Sequence, residues 1–173
     1  MVTNFISEKA IIGKNVQIWH FSYVGDNVEI GDNVKIGSLA HIDYDVKIGD
    51  NTKIEGQAYI PPLCRIGKNV FIGPAAVLTN DPFPMCDKMV GVTIEDNAII
   101  GARAVIKAGI TVGKNSVVAM GAIVTENVPE IMAFDVTNNL GAGYNNSGGA
   151  QNGVPNGKCY YWVEDPSPAI TIK

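Results

Sequence analysis

The chain has 173 residues, 46% hydrophobic and 17% charged, with a formal net charge of −4. That length suits one domain with a sizeable core, and the acidic balance leaves no basic footprint for nucleic acid. No apolar run approaches the ~18 residues that cross a bilayer, and the first residues lack the basic-then-apolar layout of a secretory signal; the expected setting is cytoplasmic, with no membrane partner.

The dominant pattern begins at once. Aliphatic residues occupy Ile6, Ile12, Ile18, Val24, Ile30, Ile36, Ile42, Ile48, Ile54, Ile60, Ile66, Ile72 and Leu78, an unbroken six-residue spacing. Neither a helix, repeating about every 3.6 residues, nor an alternating strand produces it. It is the period of a hexapeptide β-solenoid. In the hexad Ile30–Lys35, Ile30 points inward, Gly31–Asn33 supplies residue types that accept a sharp bend and positive φ, and Val34 is a second, smaller inward residue. The smaller position recurs as Val16, Ser22, Val28, Ala40, Val46, Thr52, Ala58, Cys64, Val70 and Ala76. Three hexads make one triangular coil. The expected fold is all-β, a parallel solenoid of about six coils stacked about 4.8 Å apart.

Eighteen residues per coil set Ile12, Ile30, Ile48 and Ile66 in one column, Ile18, Ile36, Ile54 and Ile72 in a second, and Val24, Ile42, Ile60 and Leu78 in a third. Leu78 to Ile94 spans sixteen residues, one hexad plus ten, and the beat then resumes through Ile100, Ile106, Val112, Val118 and Val124. Ile94 is therefore expected above Ile66, Ile100 above Ile72 and Ile106 above Leu78, with a loop expelled at one corner within residues 79–93. Two prolines and a polar start mark that segment as loop. Loops on rigid scaffolds carry function, so the active site is expected beside it. The repeat stops after Val128-Pro129-Glu130, and residues 130–137 are expected to cap a β-helix domain of 1–137. Residues 138–173 are read as an irregular glycine- and asparagine-rich segment followed by an aromatic tail with Tyr160, Tyr161 and Trp162. Cys64, Cys86 and Cys159 lack metal-like or disulfide-like spacing and are expected to be reduced.

Three stretches carry a family resemblance: Ile18-Trp19-His20-Phe21, Ile72–Asp81 (IGPAAVLTND) and Val112–Pro129 (VGKNSVVAMGAIVTENVP). Together with the hexads of residues 6–130, they resemble the left-handed β-helix acyltransferases, and among these the sugar-nucleotide N-acetyltransferases of surface-polysaccharide biosynthesis. The resemblance implies a left-handed coil and a homotrimer with sites in clefts between adjacent solenoids. It implies acetyl-CoA as co-substrate and direct attack of a sugar amine on the thioester. Asn80 matches the asparagine at that group's reacting centre. An amide is no general base, but it orients an amine by hydrogen bonding. Backbone N–H groups polarise the thioester oxygen, with the donor expected near Ala108. Pantetheine is expected along Gly101, Ala102, Lys107 and Ala108, then Ala119, Met120 and Gly121, where small residues admit close backbone approach. His20, His41 and Asp81 are assigned to the acceptor substrate, and no metal is expected. In place of the group's usual loop arginine, this chain has Pro82-Phe83-Pro84-Met85.

Three other functions share the solenoid. O-acetyltransferases of small hydroxyl acceptors use a histidine as general base, and no histidine here follows His41. Zinc carbonic anhydrases of this architecture need three histidine ligands, and the chain has two histidines. The third is a non-catalytic trimeric scaffold.

Overall fold

The computed structural model of the protein describes residues 4–131, 133 and 134. The expected region 138–173, with its aromatic tail, lies outside the described residues. Each strand is two residues long, and the first nineteen run from Phe5–Ile6 to Ile123–Val124. From Tyr23–Val24 to Ile123–Val124 each strand sets a more exposed outward residue before a buried inward one, apart from Val117–Val118, where both are buried. Every strand pairs in parallel with the strand one coil away. The result is the left-handed parallel β-helix, with three faces.

The first face stacks Phe5–Ile6, Tyr23–Val24, His41–Ile42, Tyr59–Ile60, Val77–Leu78, Val105–Ile106 and Ile123–Val124. The second runs from Ile11–Ile12 to Thr111–Val112 and the third from Gln17–Ile18 to Ala133–Phe134. Ile94 pairs with Ile66, Ile100 with Ile72 and Ile106 with Leu78, as the column arithmetic requires. The faces hold seven, six and seven strands, so the helix is about one rung longer than the expected six coils. The extra rung on the third face is Ala133–Phe134, which pairs with Val117–Val118 inside the segment expected to be only a cap.

The core is a column of branched side chains. Ile36, Ile42, Ile54, Ile60, Ile72, Leu78, Ile94, Ile100 and Ile106 are all fully buried, each worth about 1.5–3 kcal/mol relative to exposure. Polar residues in the smaller inward column are satisfied by turns. The Ser22 hydroxyl bonds Trp19 and Gly37 carbonyls, and the Thr52 hydroxyl donates to Gly67 O and accepts from Val70 N–H. Cys64 occupies the same kind of smaller inward position on the second face, and burial pushes its thiol up to about 11.

The corners explain the asparagines. Asn15, Asn33, Asn51, Asn69, Asn97 and Asn115 stack on one edge, all with φ between 56° and 61°. Asparagine tolerates that left-handed conformation better than most residues. Their side-chain amides also donate along the stack, Asn15 to Asn33, Asn33 to Asn51, Asn69 to Asn97 and Asn97 to Asn115. Aspartates at the preceding position cap the coil below: Asp32 accepts from Lys14 N–H, Asp50 from Asp32 N–H and Asp96 from Lys68 N–H.

Candidate active site at the loop corner

The loop leaves the corner between the first and second faces. Its neck is a backbone hydrogen bond, Val90 N–H to Asn80 O at 2.8 Å. Gly91 then meets the coil below so closely that an added Cβ would lie 2.3 Å from Leu63 C and O. Val92 re-enters the core fully buried. The excursion is therefore residues 80–90, inside the expected limits.

Thr79 locks this corner to the coil above. Its N–H donates to Ile106 O at 3.0 Å, and its hydroxyl accepts from Ala108 N–H at 2.8 Å while donating to Ile106 O at 3.2 Å. Ala108 is only 5% exposed. Its N–H is thus already engaged, so a free donor near Ala108, as expected, has to come from a neighbouring residue. The adjoining Gly109 has φ +77°, and its N–H meets no acceptor among the described residues. The role of Thr79 was not read from the sequence, although a hydroxyl beside the asparagine at the corner was the available signal.

Asn80 is half-buried at the neck, with Nδ2 donating to Met89 Sδ at 3.1 Å. Asp81, assigned to substrate, is used by the loop itself. Its carboxylate accepts from Phe83 N–H at 3.1 Å and from Cys86 N–H at 3.4 Å. Lys107 Nζ lies 5.3 Å from the Phe83 ring centre, a cation–π contact that ties the upper coil to the loop. The loop tip is apolar and projects, with Met85 98% exposed.

The expected pantetheine residues divide between two corners. Lys107 and Ala108 stand directly above Thr79 and Asn80. Gly101, Ala102, Ala119, Met120 and Gly121 lie on the other edge of the first face, where Gly101 N–H donates to Val118 O and Gly121 N–H to Ala102 O. From the turn at Ala102–Arg103 the chain crosses the first face through the strand Val105–Ile106 before it reaches the Lys107 corner. One chain therefore does not gather these residues into one groove. Packing also accounts for Gly101, since a Cβ there would lie 2.3 Å from Met120 N, whereas Gly121, at φ +71°, has open space around it.

The histidines occupy lower coils. His41 projects from the first face, two rungs below Val77. Its ring stacks on Tyr23 at 4.5 Å and tilts against Tyr59 at 5.5 Å, and Nε2 lies 3.9 Å from Asp43 Oδ2. Burial, then the charge on Asp43, pushes the Tyr59 hydroxyl above its ordinary range. His20 is exposed on the other corner, edge-on to Phe21. Among the described residues, no cluster of three or more His, Cys, Asp or Glu could hold a metal ion, and no helix is long and apolar enough to cross a membrane.

Comparisons with known proteins agree with this architecture. Residues 9–43 and 45–80 match the bacterial transferase hexapeptide family (six repeats), and residues 27–60 and 91–126 match the hexapeptide repeat of succinyl-transferase. The chain belongs to the hexapeptide-repeat acyltransferase superfamily. Among solved structures it is similar to WeeI from Acinetobacter baumannii AYE, with 26% identity and a TM-score of 0.51 over 74% of this chain and 52% of that one. It is also similar to a hexapeptide-repeat-containing acetyltransferase from Vibrio cholerae O1 biovar eltor, solved with acetyl coenzyme A, with 27% identity and a TM-score of 0.57 over 63% of this chain and 66% of that one. GDP-perosamine N-acetyl transferase from Caulobacter crescentus, solved with CoA and GDP-perosamine, shares the fold at 23% identity and a TM-score of 0.52, over 78% of this chain and 53% of that one. The chain thus spans about half the length of WeeI and of the Caulobacter enzyme. No curated protein matches its sequence significantly.

Proposed function

We propose that this protein is an acetyl-CoA-dependent N-acetyltransferase whose acceptor is the amine of a nucleotide-linked amino sugar. The observation that carries the reading is the Thr79–Asn80 corner. A half-buried amide stands at the neck of the one long excursion among the described residues, directly beneath a small-residue corner. The acetyl-CoA complex of the Vibrio relative supports the donor. The IGPAAVLTND stretch and the GDP-perosamine complex on the same fold support the acceptor class. Such activated substrates place the reaction in the cytoplasm.

In this reading Asn80 turns its side chain from Met89 to the incoming amine and holds it in line with the thioester carbonyl. The neutral amine nitrogen forms the new C–N bond. The carbonyl pair moves onto oxygen, where the Gly109 N–H stabilises it. The C–S bond then breaks, and the proton lost by nitrogen ends on the CoA sulfur, directly or through water. Neither histidine lies on the coils that carry Asn80, which disfavours the hydroxyl-acceptor reading.

The working unit in this proposal is a homotrimer. Outward residues of the first face are Phe5, Tyr23, His41, Tyr59, Val77, Val105 and Ile123, with no Lys, Arg, Asp or Glu on any of its seven rungs. The second face carries Glu29, Lys47 and Arg65. Packing of the uncharged face between copies brings the Ala119–Gly121 corner of one chain toward the Asn80 corner of the next. That reunites the two halves of the expected pantetheine path.

The test is thiol release from acetyl-CoA in the presence of UDP-, GDP- and dTDP-linked amino sugars, with thermal melting alongside. Acetyl-CoA at 100 times its Kd adds about 2.7 kcal/mol, and Asn80→Ala lowers kcat about 10–100-fold. No melting shift with acetyl-CoA or any sugar nucleotide rejects the enzyme in favour of the scaffold.

A further inference from the structure

The two ends of the β-helix differ. At the C-terminal end the inward residues Val112, Val118 and Val124 are fully buried, and Val128 bridges back onto Val112. At the N-terminal end Ile6 is 42% and Ile12 39% exposed, although both occupy inward positions that are buried from Val24 onward. The strands Phe5–Ile6, Ile11–Ile12 and Gln17–Ile18 are paired on one side only. Among the described residues the outer edges of Phe5–Ile6 and Ile11–Ile12 present unpaired backbone beside apolar side chains, a template for a further strand, while on the third face Ile18 O accepts from Asn4 Nδ2 at 3.3 Å.

We propose that residues 158–173 of this chain dock on the open N-terminal end of its own β-helix. The length of the chain beyond the described strands suits this. Ala133–Phe134 is the last of seven strands on the third face; six strand spacings, about 29 Å, separate it from the open rung. Residues 135–157 are twenty-three residues, rich in glycine and asparagine from 141 onward. A coil of that length and composition has a mean span of about 26 Å. The chemistry of the segment also suits the end. Tyr160-Tyr161-Trp162-Val163 and Ala169-Ile170-Thr171-Ile172 are the aromatic and β-branched types that pair on a sheet edge, and they bring apolar area to cover Ile6 and Ile12. Docking caps the solenoid and removes an edge that otherwise invites a second copy.

Amide exchange over residues 5–12, compared between the full chain and a chain ending at Gly157, tests this. Loss of the segment speeds exchange there about tenfold or more, with residues 60–78 unchanged. Full-length Trp162→Ser/Ile170→Ser gives the same local loss if the shortened chain does not fold. In the full chain, a photo-crosslinking benzoylphenylalanine at Ile11, outward on the second face and so off the face that packs in the proposed trimer, is expected to join peptide 158–173 within one chain. Crosslinks from that position to a second copy, crosslinks elsewhere in the chain, or unchanged exchange in both variants overturn the proposal. These outcomes are read without acetyl-CoA or sugar nucleotide, so they stand apart from the proposed activity.

Discussion

Thr79→Val is the sharpest perturbation of the loop corner. Valine matches threonine in shape, so the change deletes one oxygen and little volume. That oxygen accepts the Ala108 N–H at 2.8 Å. Ala108 is 5% exposed, so water cannot take its place freely. The bond from the Thr79 hydroxyl to Ile106 O, at 3.2 Å, is also lost, but that carbonyl keeps the Thr79 N–H at 3.0 Å. The dominant cost is therefore one buried unpaired donor, about 1–3 kcal/mol. For a chain of this size, about 2 kcal/mol lowers Tm by about 4–8 °C. Thr79→Ser keeps the oxygen and loses only a methyl, about 0.8 kcal/mol. The assay is thermal melting of the three proteins, followed by thiol-release kinetics on each. Thr79→Val is expected to melt well below Thr79→Ser and to lose kcat, because the corner that sets Asn80 against the upper coil is loosened. A Thr79→Val protein melting within about 1 °C of the parent refutes the burial argument.

Other consequences are equally direct. Leu39 is 53% exposed with φ 63°, so Leu39→Asn is expected to raise stability by about 1 kcal/mol, read as a higher Tm. Gly101→Ala places a methyl 2.3 Å from Met120 N; it is expected to lower Tm by several degrees and to separate the two coils locally, seen as faster amide exchange at Met120. Burial raises the folded Cys64 thiol from its ordinary 9.0 to about 11. The neutral thiol is thus favoured by the fold, and this contribution is complete below pH 9 and lost as pH rises toward 11. Cys64→Val, matching Val46 and Val92 in the same column, is expected to flatten that alkaline loss in melting scans. In native protein at pH 8, a thiol reagent is expected to modify Cys86 before Cys64, checked by mass spectrometry.

The register of the helix was legible from thirteen aliphatic positions because each hexad offers one bulky inward residue, and a slip by one would turn it outward. The loop was legible for the same reason: Ile94 had to regain the column of Ile66. The site was only half legible. Asn80 and its relation to Lys107 and Ala108 follow from counting coils, and the structure places them together. Counting coils also puts Gly101 and Met120 at the far corner of the first face from Lys107, and it does not say how a second chain sits against that face. Hydrogen-bond commitments were hidden altogether. Asp81 is spent on Phe83 and Cys86 N–H groups, and Ala108 N–H on Thr79. A periodic core constrains inward side chains strongly, whereas corner polar groups choose partners among near neighbours that the period leaves undetermined. In the proposed homotrimer, the uncharged first face, flanked by those two corners, is the face that packs between copies and lets acetyl-CoA meet both corners.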